Sequence, residues 1–134
     1  MKIRNGFVTN SSSTNFLIIS KENLTEDYLL KKLGFKANSA ILDSGKRLAF
    51  SIIDGISSGL RWHQFNYENP TYNDILQVFG KRSADKFKNL KNKGYKVYMG
   101  YTSSDENEIT SFMTCDYFLI DEKDFYMDGR NCVW

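Results

Sequence analysis

The chain has 134 residues, 41% of them hydrophobic and 15% aromatic, with a net charge of only +2. That length favours one domain burying roughly two thirds of its unfolded surface, which needs no disulfide or metal staple and argues against disorder. The small net charge names no partner, the two cysteines, Cys115 and Cys132, make no framework and point to a reducing setting, and no apolar run approaches a transmembrane span.

At the start, Lys2 and Arg4 could open a secretion signal, but residues 6–15 are polar where an apolar stretch is needed. No leader is therefore expected. Phe16, Leu17, Ile18 and Ile19 form an apolar run of strand formers, which predicts a buried strand. Thr25 has the character of an N-cap, with Glu26 and Asp27 in a first turn that favours acids. Leu29, Leu30 and Leu33 then share a face, and Gly34 is a natural stop, so the spacing predicts a helix over 26–33.

Residues 40–42 and 48–53 read as two strands of a hairpin around Asp43, Ser44, Gly45 and Lys46, whose turn chemistry lies between them. Residues 55–69 have no clear period and still carry Trp62, Phe65 and Tyr67, which makes them the best candidate for a functional loop. Asn69, Pro70 and Thr71 read as a helix start, with Pro70 in the first turn. Tyr72, Ile75, Leu76 and Phe79 carry the helical period to Gly80. Ser83 is the expected cap of a second helix with Ala84, Phe87 and Leu90 inward and Gly94 as its stop. Residues 95–101 alternate as a strand, 104–113 suggest another short helix, and Tyr117 to Ile120 a further strand. Residues 125–127 and 132–134 are expected to pair across Asp128 and Gly129, a hairpin signal. The two consecutive helices break strict strand–helix alternation. The expected fold is therefore α+β: a single small domain over 1–134, with a mixed sheet and three to four short helices.

The opening stretch carries a resemblance. Arg4, Gly6, Phe7, Val8, Thr9, Asn10, Ser11, Ser12, Ser13, Thr14, Asn15 and Phe16 resemble an N-terminal motif of many small bacterial and phage proteins, approximately R-x-G-F-V-S-N-S-S-S-S-S-F. The likeness covers the first 16 to 19 residues. Thr9 and Thr14 stand for serines and keep the hydroxyl; Asn15 stands for another and does not. The resemblance implies a protein of phage or mobile-element type and implies no particular activity. Physically, a run of hydroxyls competes with regular backbone bonding and suits a tight turn. Such a turn could also present donors to an anion, as nests do, or accept a covalent group. It lacks the lysine and glycine spacing of a P-loop.

Catalytic signals are thin. His63 is the one histidine, so a Ser–His or Cys–His pair must run through it, yet no nucleophile signature accompanies it. A zinc site would have Cys115, Cys132 and His63 without a C-x-x-C pair. The acids Asp116, Asp121, Glu122, Asp124 and Asp128 do not follow a calcium-loop pattern and read as a solvated edge. No catalytic residue, metal or cofactor is assigned, and an enzyme is disfavoured.

Charge is lopsided along the chain: residues 81–96 hold seven cations against Asp85, and residues 97–134 hold eight acids against Lys123 and Arg130. The basic helix over 83–93 is the nucleic-acid candidate, ranked behind a solvated helix face because its lysines make no single stripe. The favoured reading is a non-enzymatic protein of the host cell cytoplasm that binds and modulates or inhibits a host protein. Its expected binding residues are Asn10, Ser11, Ser12, Ser13 and Thr14 with Arg61, Trp62 and His63, since Trp and Arg are usual interface anchors. The alternatives are a small-ligand or nucleotide-binding protein, in which the hydroxyl turn holds an anion, and nucleic-acid binding through the basic helix.

Overall fold

The computed structural model describes residues 13–34, 42–56, 69–103 and 118–133. In chain order these are β1 (Ser13–Ser20), α1 (Glu26–Lys32), α2 (Leu42–Ile56), α3 (Tyr72–Phe79), α4 (Lys81–Asn92), β2 (Lys96–Ser103), β3 (Phe118–Asp121) and β4 (Phe125–Val133). The fold is α+β, as the order of elements suggested. The strands form one sheet in the order β2-β1-β4-β3. Its described pairings are all antiparallel, so it is not the mixed sheet expected.

β1 explains the layering. Phe16, Leu17, Ile18 and Ile19 are all fully buried, and strand side chains alternate between faces. Leu17 and Ile19, with Met99 and Tyr126, meet Ile75, Val78 and Phe79 of α3 and Ala84, Phe87 and Leu90 of α4. Phe16 and Ile18, with Phe125 and Met127, meet Leu29 and Leu30 of α1 and Leu48, Ala49 and Ile52 of α2. A strand apolar on both faces needs cover on both. Burying each such side chain stabilises the fold by about 1.5–3 kcal/mol.

Several local signals act as expected. Thr25 caps α1, its hydroxyl accepting from the Tyr28 N–H at 3.1 Å. Thr71 and Asp74 form a capping box on α3, with bonds of 3.2 and 2.9 Å. Pro70 stands just before that cap rather than in the first turn. Gly80 closes α3 and opens α4 at φ 90°, a backbone conformation in which a side chain is strained. That single residue lets the two helices follow without a loop.

Of the expected hairpin at 40–53, the described part from Leu42 onward is helix instead. Along α2 the described buried positions are Gly45, Leu48, Ala49, Ser51, Ile52 and Gly55, spaced as a helical stripe. Burying that stripe overrides the turn chemistry of Asp43, Ser44 and Gly45. The expected hairpin at Asp128-Gly129 is also absent. β4 runs on through both residues and absorbs them at a register shift, where Asn15 faces Asn131 and Leu17 faces Asp128. The helix expected over 104–113 lies outside the described residues.

α2 crosses β2 with almost no space between the backbones. A Cβ built on Gly100 would meet the Gly55 carbonyl, and one built on Gly55 would meet the Tyr101 carbonyl. Both obstacles are backbone atoms, so neither can turn aside. Gly100→Ala is expected to lower stability by about 1–3 kcal/mol, the cost of overpacking. Urea unfolding checks this; an unchanged midpoint would contradict the close crossing.

Candidate functional site

The α3–α4 side of the sheet is not apolar throughout. Ser83, Tyr126 and Asp128 are all fully buried there. The Ser83 hydroxyl donates to Asp128 Oδ2 at 2.5 Å and lies 2.6 Å from Tyr126 Oη. A serine has one hydroxyl proton. With that proton given to Asp128, the Tyr126 hydroxyl donates to Ser83, and the three groups form a directed chain from Tyr126 to Ser83 to Asp128. Asn15, two residues before Leu17 on the same face, is also fully buried. A buried chain of this kind fixes the position of α4, and Ser83 itself is fully buried.

Ser83 is therefore not the expected helix cap. α4 starts at Lys81, and Gly80 occupies the cap position. The signal was available: Ser83, Phe87 and Leu90 stand at helical spacing on the inner face. Asp128, expected in a turn and in a solvated acidic edge, is an inward residue of β4 two positions after Tyr126.

Above this chain, the start of α4 is tied to β3 by charge. Asp121 accepts from Arg82 at 2.9 Å and from Lys86 at 2.8 Å. The Lys86 ammonium also lies 5.8 Å from the centre of the Tyr126 ring. Lys86 first, then Arg82, holds the Asp121 carboxyl below its ordinary value, against the opposing effect of burial. Asp85 is likewise held low, by the Tyr72 hydroxyl at 2.7 Å and by Lys81 at 3.0 Å. The next acid after Asp121 works on the other layer: Glu122 accepts from Lys32 of α1 at 3.1 Å. The acidic edge expected from the sequence is thus partly a clamp, with Asp121 on α4 and Glu122 on α1.

Of the binding residues expected from the sequence, Ser13 is the first residue of β1 and Thr14 is fully buried in it, opposite Thr102 and Cys132. The hydroxyl run therefore enters a strand at its end rather than closing a turn there. Asn10, Ser11, Ser12, Arg61, Trp62 and His63 lie outside the described residues. Cys115 and Asp116 do as well. Among the described residues no group of three or more His, Cys, Asp or Glu could hold a metal ion, and no helix is long and apolar enough to cross a membrane.

Of two outer surfaces, the one on α2 was not anticipated, while the basic one on α4 was expected as a solvated helix face. On α2, Phe50 is 57% exposed and stands at helical spacing from Arg47 and Asp54. On the opposite layer, α4 presents Lys81 and Arg82 with side chains 78% and 55% exposed. Compared with known proteins, the chain matches no family model, no curated protein and no solved structure.

The Asp121 pair carries a pH signature. A carboxyl held low in the fold adds stability above its unfolded value, near pH ~3.9, and loses it as pH falls through the folded value. Asp121 is 27% exposed, so the expected size is about 0.5–1 kcal/mol at neutral pH. Asp121→Asn should be less stable than the wild type by that amount at pH 7, and the difference should close as pH falls below ~3.9. Denaturant titrations at stepped pH values measure it; a difference constant down to the lowest pH would contradict the ion pair.

Proposed function

We propose that the protein is a non-enzymatic binding protein of phage or mobile-element type that acts in the host cytoplasm by engaging and modulating a host protein. The observation that carries this reading is Phe50. Phe50 is a large aromatic side chain, 57% exposed in the middle of α2, and is therefore available as an anchor. Buried aromatic anchors dominate the energy of protein interfaces. The helix that presents it is held rigidly, because its inner face is packed on Phe16 and Ile18 and its end lies against β2 at Gly55. A rigid element displays an anchor at low entropic cost on binding.

Two features of the sequence support the same reading. The resemblance of the opening stretch points to proteins of phage type. Arg61, Trp62 and His63 follow α2 within a few residues of its end at Ile56, so the aromatic segment expected to bind continues from the element that carries Phe50.

The test is a pull-down from nuclease-treated lysate of the native host, using wild type, Phe50→Ala and a variant with Ser11, Ser12 and Ser13 changed to Ala. Phe50 is exposed, so its truncation should leave the unfolding midpoint unchanged. Affinity for the captured host protein, measured afterwards with the purified partner, is expected to fall at least about tenfold in Phe50→Ala, as for an interface hot spot. Equal affinity of wild type and Phe50→Ala would overturn the role given to this face.

A further inference from the structure

The two helical layers differ in charge. α1 and α2 carry four acids, Glu26, Asp27, Asp43 and Asp54, against four cations, Lys31, Lys32, Lys46 and Arg47. α3 and α4 carry Asp74 and Asp85 against five cations, Lys81, Arg82, Lys86, Lys88 and Lys91. Lys93 and Lys96 follow directly and are exposed. Among the described residues, an asymmetry along the chain thus becomes one between the two helical layers.

Local pairing does not cancel the excess. Asp121 serves both Arg82 and Lys86, and Asp85 pairs with Lys81. Among the described residues Lys91, Lys93 and Lys96 form no ion pair; Lys91 donates to the neutral Asn69 amide at 3.1 Å. The helix dipole favours a cation in the last turn, which accounts for Lys91. It also favours Lys93 at the C-cap but does not call for Lys88 or Lys96.

We propose that the outer face of α4, from Lys81 to Lys96, binds the sugar–phosphate backbone of duplex nucleic acid without reading its sequence. The neutral side chains beside the cations select this partner over an acidic protein. They are the exposed amides Asn73, Gln77, Asn89 and Asn92, and lysine, arginine and amide side chains are what phosphate and sugar contacts use. A protein partner would need apolar or aromatic anchors, and the large exposed apolar residue on this layer is Leu76 at 37%. Phe87 is buried, so α4 offers no stacking platform for a single strand. A helix of 12 residues is about 18 Å long and spans about five nucleotide steps of one strand. This inference does not depend on Phe50, which lies on the opposite layer.

The test is fluorescence anisotropy with a labelled random-sequence DNA duplex, titrated between 50 and 200 mM salt. Neutralising three or four phosphates predicts a loss of affinity of roughly 40- to 150-fold across that range. Lys81→Gln, Arg82→Gln and Lys88→Gln, three cations on the half of α4 opposite Ser83, Phe87 and Leu90, together should lower the slope of log affinity against log salt by about 2–3. The paired change Lys46→Gln and Arg47→Gln, on the neutral layer, should leave binding unchanged, as should Phe50→Ala. Thermal unfolding shows whether each variant is folded. No binding at 50 mM salt would overturn the proposal. So would an unchanged slope in the folded triple variant, or an equal loss in the α2 variant. Competition by polyglutamate as effective as by unlabelled duplex would also overturn it, and would indicate an acidic polypeptide instead.

Discussion

The structure depends on β1 being apolar on both sides. Phe16, Leu17, Ile18 and Ile19 in succession leave no face of the strand for water. Antiparallel sheets can leave one face solvated, but this one cannot without exposing two of those four side chains. The chain meets the requirement in sequence order. The pair α1 and α2 follows β1 and covers Phe16 and Ile18; the pair α3 and α4 comes next and covers Leu17 and Ile19. β2 and β4 then flank β1 on either side. Placing the covering helices before most of the sheet is what makes the fold α+β rather than an alternation of strand and helix.

The two layers are attached by different physics. α2 is held by close contact: glycines at Gly55 and Gly100 bring backbone against backbone, and Leu48, Ala49 and Ile52 make an apolar inner face beside the buried Ser51. α4 is held by apolar contacts and by the chain from Tyr126 through Ser83 to Asp128, with Asp121 gripping Arg82 and Lys86 outside. Buried polar groups cost stability unless they are bonded, and when bonded they fix geometry. The consequence for function is orientation. Phe50 faces out on one side and the cation-rich face of α4 on the other, so the two proposed binding faces do not overlap.

How much of this could be read from the residues follows from the range of the forces. β1, α1, α3 and β2 were legible because their signals are local: a run of β-branched and aromatic residues, a threonine cap followed by acids, a period of 3.6, an alternation of 2. α2 was not, because residues 48–53 are rich in strand formers and Gly45 sits in turn-like company. What decides it is the stripe from Gly45 to Gly55, which matters only once β1 and β2 are there to receive it. Asp128-Gly129 failed for a similar reason, since the pairing with β1 at Leu17 holds β4 extended through a turn signal. Ser83 resembled a cap by its place in the helix, yet its spacing from Phe87 and Leu90 already put it inward. Of the candidate site, the basic character of residues 81–96 was evident from composition. Its exposure on one layer, with the other layer neutral, was not.

Native-state amide hydrogen exchange on the wild type and on Ser83→Ala tests the central claim, that the buried hydroxyl chain seats α4 on the covered face of β1 and β4. Losing that hydroxyl should cost about 1–3 kcal/mol. The account predicts that the variant loses protection first at the α4 amides of Phe87 and Leu90, while those of β1 from Phe16 to Ile19 and of α2 remain the slowest to exchange. Equal loss of protection across β1, α2 and α4, or no loss anywhere, would contradict it.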